Sequence, residues 1–201
     1  MAQDFAFKWR VIEAWHDPDT VKTHSFFSRA GNIFTWADML DLQPSSPLGR
    51  YVAQVRDWGF NGLALYADPE KNPAAMRSFA RSLRDQGIAM IIRRDWCETE
   101  TGYSWPSAPV GEARNRTSRK LCPYSGEVRD YWEDRIARDF EMMPELGGYR
   151  MNGTEFYFIH GAPWMCDCGE CRRHTGRERA RDAIRLIAGL LEKRGATLFW
   201  E

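Results

Sequence analysis

The sequence has no excess of either charge: 28 basic and 28 acidic side chains leave a formal net charge of zero over 201 residues. Without a basic surplus there is no electrostatic footprint for a phosphate backbone, which excludes nucleic acid as a partner. No apolar run approaches the roughly 20 residues of a membrane-spanning helix, which excludes a membrane protein of that kind. The first residues, MAQDFAFKWR, lack the basic start and long apolar stretch of a secretory signal, so the expectation is a cytoplasmic chain with reduced thiols. The composition of a disordered chain is missing too, since 43% of residues are hydrophobic and 13% aromatic. What the sequence does have is tryptophan, nine of them, and five cysteines, an odd number that cannot pair completely within the chain.

Four amphipathic stretches recur along the chain and each runs into glycine. Residues 48–58 stop at Gly59, 74–86 at Gly87, 127–146 at Gly147-Gly148 and 177–194 at Gly195. Glycine just past a helix accepts the left-handed conformation without a Cβ clash. Each glycine is followed by a short apolar run (FNGLALY, IAMIIRR, YRMNGTEFYF, ATLFW) that reads as a buried strand. The helix starts agree. Asn72-Pro73 supplies a cap and a first-turn proline, Ser125 can cap the third helix, and Thr175 with Glu178 has capping-box spacing. Val52, Val55 and Trp58, like Ile184, Ile187 and Leu191, recur at helical spacing and predict faces packed on a sheet, with Trp58 and Trp132 in the core.

With a first strand at residues 8–15, the count is five strands, near residues 10, 63, 90, 152 and 198, and four helices. Alternating strands and helices predict a parallel α/β sheet with right-handed crossovers. No glycine-rich phosphate loop follows any strand, against a nucleotide-binding doubly wound fold. The connections after strands are long (16–46, 95–124 and 156–175) and those before strands are minimal. That asymmetry belongs to a (β/α) barrel whose working face lies at the strand C-termini. A full barrel needs about 250 residues. The expected fold is therefore an incomplete parallel (β/α) barrel, with residues 1–201 one partial catalytic domain ending after its fifth strand and able to self-associate through the open barrel edge.

If strand ends make the working face, strand one delivers Glu13, Trp15 and His16, strand two Tyr66 and Asp68, strand three Arg93, Arg94, Asp95 and Trp96, strand four Asn152 and Glu155, and strand five Trp200 and Glu201. His160 and Trp164 follow in the next connection, and Trp105 lies in the one before. Carboxylates, arginine and tryptophan suit carbohydrate, whose CH faces stack on aromatic rings and whose hydroxyls take charged hydrogen-bond partners. Hydrolysis of a glycosidic bond needs two carboxyl groups, one protonated and one ionised. Catalytic candidates are Glu155, Asp95 and Asp68. Substrate-binding candidates are Arg93, Arg94, Trp15, His16, Tyr66, Trp96, Trp164 and His160. Arg93 and Arg94 alternate across their strand, so one points inward and the other pairs with helix acids.

Cys166, Cys168 and Cys171 lie in one stretch, with His174 three residues on. Zinc takes four tetrahedral ligands, often thiolates two to four residues apart. Cys122, from the preceding connection, or His174 can complete the set. The plainer reading is three thiols around a tight turn. The expected metal ligands are Cys122, Cys166, Cys168 and Cys171, holding a structural zinc, with no cofactor required for catalysis.

Leu121-Cys122-Pro123-Tyr124-Ser125 opening a helix, Gly153-Thr154-Glu155 after strand four, and C-x-C-x₂-C before the next helix together make a pattern. It resembles a group of bacterial barrel glycosidases related to the α-glucuronidase and β-hexosaminidase type catalytic barrels, over about residues 8–201. The resemblance implies that Glu155 is a catalytic acid and that the second catalytic carboxylate belongs to a later strand. The sequence reading is thus a glycoside-hydrolase-like catalytic domain acting on a poly- or oligosaccharide. Its rivals are a non-catalytic carbohydrate-binding or zinc-stabilised interaction module and a metal-dependent sugar isomerase or epimerase barrel.

Overall fold

The structure, a computed structural model, describes residues 8–14, 41, 43–65, 69–70, 72–95, 122–152 and 168–200. Strands and helices alternate along them: β1 (Val11–Ala14), α1 (Pro47–Asp57), β2 (Gly62–Leu65), α2 (Pro73–Asp85), β3 (Ala89–Asp95), α3 (Gly126–Met142), β4 (Leu146–Asn152), α4 (Gly176–Glu192) and β5 (Thr197–Trp200). The strands follow one another in the sheet in chain order. This is the strand–helix order of an incomplete parallel (β/α) barrel, as the sequence predicts. The chain divides into two compact units, Met1–Ile92 with Met142–Gly147, and Arg93–Glu141 with Gly148–Glu201.

The first unit is built on a parallel register running from Val11 opposite Gly62 to Ala14 opposite Leu65, and from Gly62 opposite Ala89 to Leu65 opposite Ile92. All four residues of β2 are buried, as expected of a strand covered on both faces. Helix α1 starts where Ser46 accepts from the Gly49 N–H at 2.9 Å, with Pro47 in its first turn. Its apolar residues Leu48, Val52 and Val55 are buried. Trp58 departs from the expected core: it sits just past the helix and is 58% exposed. The helical period ends at Asp57, so a residue in step with Val55 by sequence is no longer on the helix face. In α2, Asn72 accepts from the Ala75 N–H at 3.2 Å, and Met76, Phe79, Ala80 and Leu83 are buried.

In the second unit, β4 and β5 are parallel, from Gly148 opposite Thr197 to Met151 opposite Trp200. Helix α3 buries Val128, Trp132, Ile136 and Phe140. Helix α4 buries Ala180, Ala183, Ile187, Leu190 and Leu191, while Ile184 is half-buried. The capping box is present: Thr175 Oγ1 accepts from the Glu178 N–H at 3.3 Å, and Glu178 Oε2 accepts from the Thr175 N–H at 2.7 Å.

Three of the four expected glycine stops hold, with φ of +79° at Gly59, +78° at Gly87 and +71° at Gly195. The fourth is different. Helix α3 ends at Met142, not at residue 146, because Pro144 disfavours helical backbone in the residue before it. Gly147 and Gly148 belong to β4 instead. Gly148 has φ +155°, and a Cβ built there would stand 1.9 Å from the Thr197 carbonyl oxygen. Glycine is needed at this position by the close approach of β5.

Candidate metal centre and strand-end residues

Three of the expected metal ligands, Cys122, Cys168 and Cys171, fall among the described residues. Cys122 lies four residues ahead of α3, held by a turn in which the Ser125 N–H donates to the Cys122 carbonyl at 3.1 Å. Cys171 opens a short 3₁₀ turn over Cys171–Arg173 that precedes α4. Cys168 stands just before it, and the Cys171 N–H donates to the Cys168 sulfur at 3.4 Å. The turn therefore puts both side chains on one side.

The three sulfurs converge. Cys122 Sγ lies 3.5 Å from Cys171 Sγ and 3.7 Å from Cys168 Sγ, and all three fall within 4.8 Å of one another. Cys171 is fully buried, Cys122 is 5% exposed and Cys168 is partly covered. They form no disulfide, and their separations are far from the roughly 2.05 Å of one. Thiolates around one zinc at about 2.3 Å stand roughly 3.8 Å apart in a tetrahedron, so the spacing suits a metal. The three cysteines, brought from two different connections, could hold one. His174 does not join them. Its Nε2 faces Glu170 Oε1 at 3.3 Å and its ring stacks on Tyr124 with centroids 4.5 Å apart. Cys166 lies outside the described residues.

Tyr124 covers the cluster and donates to Asp182 Oδ2 on α4 at 3.2 Å. Burial first, and then the acceptance of its proton by Asp182, push its phenol pKa well up, so it stays a neutral hydroxyl.

Of the residues expected at strand ends, Arg93, Arg94 and Asp95 close β3. Both arginines are buried, 4% and 2% exposed. Arg94 takes the helix-side role: its Nη2 bonds Asp139 Oδ2 on α3 at 2.8 Å. The Tyr149 hydroxyl of β4 donates to the same carboxylate oxygen, and Arg135 lies 3.8 Å from the other. The Arg94 guanidinium also sits 5.9 Å from the Tyr149 ring centroid. Asp139 and Tyr149 were not singled out by the sequence reading. The available signal was the i, i+4 spacing of Arg135 and Asp139 on a helix face that also carries Ile136 and Phe140. Glu155, Asp68, Trp15, His16, Tyr66, Trp96, Trp105, His160 and Trp164 lie outside the described residues.

Among the described residues, no helix is long and apolar enough to cross a membrane. No protein-family model matches the chain, and no curated protein does. Among solved structures, the glycoside hydrolase domain of a PelA variant from Pseudomonas aeruginosa aligns with a TM-score of 0.41 at 14% identity. The alignment covers 78% of this chain and 56% of that one, so the chain spans little more than half the length of the structure it matches.

Proposed function

We propose that this chain is part of a glycoside-hydrolase-like catalytic domain acting on poly- or oligosaccharides, with Glu155 as the proton donor. The observation that supports the reading is the adjacency of β3, which ends in Asp95, and β4, after which Glu155 follows in the sequence. Asp95 is the last residue of β3, and Glu155 follows three residues after β4 ends at Asn152. β3 and β4 are adjacent in the sheet. Adjacent strands lie about 4.8 Å apart, and parallel strands end on one edge, which is where barrel enzymes carry their chemistry. Two carboxyl groups in reach of one bond are what glycoside hydrolysis asks for.

In this reading Glu155 protonates the leaving oxygen and Asp95 orients the sugar or assists, with Asp68, shortly after β2, as the alternative assistant. Arg93 binds a substrate hydroxyl or carboxylate, and Trp96 and Trp164 stack on the sugar face. Trp15, His16, Tyr66 and His160 add contacts. Arg94 supports this edge from behind, through Asp139.

The test is release of new reducing ends from a panel of poly- and oligosaccharides by the wild-type protein and by Glu155→Gln. General acid catalysis contributes about 10²–10⁴-fold, and the variant should lose that much. Turnover equal to wild type removes Glu155 from the chemistry. A second reading, a non-catalytic zinc-stabilised module, is favoured by the cysteine cluster alone and predicts no new reducing ends from either protein.

A further inference from the structure

We infer that Cys122, Cys168 and Cys171 are thiolate ligands of one structural zinc ion, which ties the chain entering α3 to the chain entering α4. The sequence supplies a fourth thiolate at Cys166, two residues before Cys168. A zinc site closed by four protein ligands is structural rather than catalytic.

Four observations carry this. The sulfurs are separated by 3.5 and 3.7 Å, close to the spacing imposed by a tetrahedral zinc and too wide for a disulfide. They arrive from connections 46 and 49 residues apart in sequence, so their meeting is tertiary rather than a local turn. The Cys171 N–H aims at Cys168 Sγ at 3.4 Å, an outer contact that steadies a thiolate ligand. Finally, among the described residues Tyr124 and Cys168 pack on the buried pair Cys122 and Cys171. A metal held by these sulfurs ties the two segments together.

A nucleophilic role fits less well. A reactive thiolate wants a base or cation beside it, and the nearby imidazole of His174 is turned to Glu170 and stacked on Tyr124. The zinc instead anchors the helix-side ends of two connections. One leaves β3 after Asp95 and reaches α3, and the other leaves β4 after Asn152 and reaches α4. The inference stands whether or not the protein hydrolyses glycosides, because its readout is metal and stability rather than turnover.

The experiment is elemental analysis of the full chain purified without added chelator, followed by replacement of the ion with cobalt(II). About one equivalent of zinc is expected, together with the thiolate-to-cobalt charge transfer and intense visible bands of a tetrahedral thiolate site. Cys122→Ser and Cys171→Ser should each lose the zinc and melt at lower temperature, while Cys97→Ser keeps both. Should the serine variants fail to fold, titration of the wild-type thiols decides. Bound zinc protects Cys122, Cys168 and Cys171 from a thiol reagent until a mercurial releases the ion. Five freely reactive thiols after zinc supplementation, or iron with inorganic sulfide in place of zinc, would overturn the inference.

Discussion

Asp139 is the residue on which most of the buried polarity of the second unit converges. It is fully buried and receives Arg94 at 2.8 Å and the Tyr149 hydroxyl. Taking a guanidinium and a carboxylate out of water is costly, and the pair is tolerated because each satisfies the other. Removing one partner leaves a buried charge without compensation. Asp139→Asn should therefore cost about 3–5 kcal/mol in urea unfolding. Tyr149→Phe, which removes one donor to a charged acceptor, should cost about 1.5–3 kcal/mol. If Asp139→Asn unfolds at the wild-type urea concentration, the cluster is not holding α3 to its strands. The sequence showed part of this. Alternation of Arg93 and Arg94 predicts that one of them meets a helix acid, but a one-dimensional pattern cannot say which of several acids on α3 turns inward. Trp58 makes the converse point: its hydrophobicity and spacing suggest core, yet one residue beyond the helix end leaves it exposed.

At the scale of elements, helix α4 shows how local signals fix a boundary. Thr175 and Glu178 cap each other, and the spacing that predicts a capping box is what forms. Thr175→Ala should cost about 0.5–2 kcal/mol, read by thermal or urea unfolding. The cap also gives a pH dependence. The Thr175 N–H, and then its hydroxyl, hold the Glu178 carboxyl below the usual carboxylate range. A depressed folded pKa means the contribution is present above the unfolded value and is lost as pH falls through the folded one. The stability gap between wild type and Glu178→Gln should thus shrink as pH drops below the ordinary glutamate range, about 4.3. A gap unchanged from neutral pH down to strong acid would refute the assignment. The boundary between α3 and β4 was not legible in the same way. Two consecutive glycines look like a helix stop, whereas Pro144 ends the helix earlier and Gly148 serves strand pairing. Gly148→Ala should push β4 from β5 and cost more than about 2 kcal/mol, since backbone rather than a flexible side chain blocks the Cβ.

At the scale of the whole molecule, the fold class was legible because it rests on repetition. Four helix-to-strand turns, three of them through left-handed glycine, and the apolar runs after them suffice to predict parallel strands in chain order. The site was legible only where chemistry is clustered in sequence. Cys168 and Cys171 are neighbours, and Cys122 was reachable as the thiol of the preceding connection. The carboxylates are different, because a catalytic pair is made by strand adjacency and loop conformation rather than by spacing. Asp95 is placed by β3, whereas Glu155 rests on its place three residues beyond β4. The most direct measurement of its role compares Glu155→Gln with wild type on two substrates sharing one sugar. One carries an ordinary saccharide leaving group, and the other an activated aryl group that departs without protonation. If Glu155 is the proton donor, the variant loses about 10²–10⁴-fold on the first and little on the second. Equal rates for variant and wild type on both substrates would contradict the account.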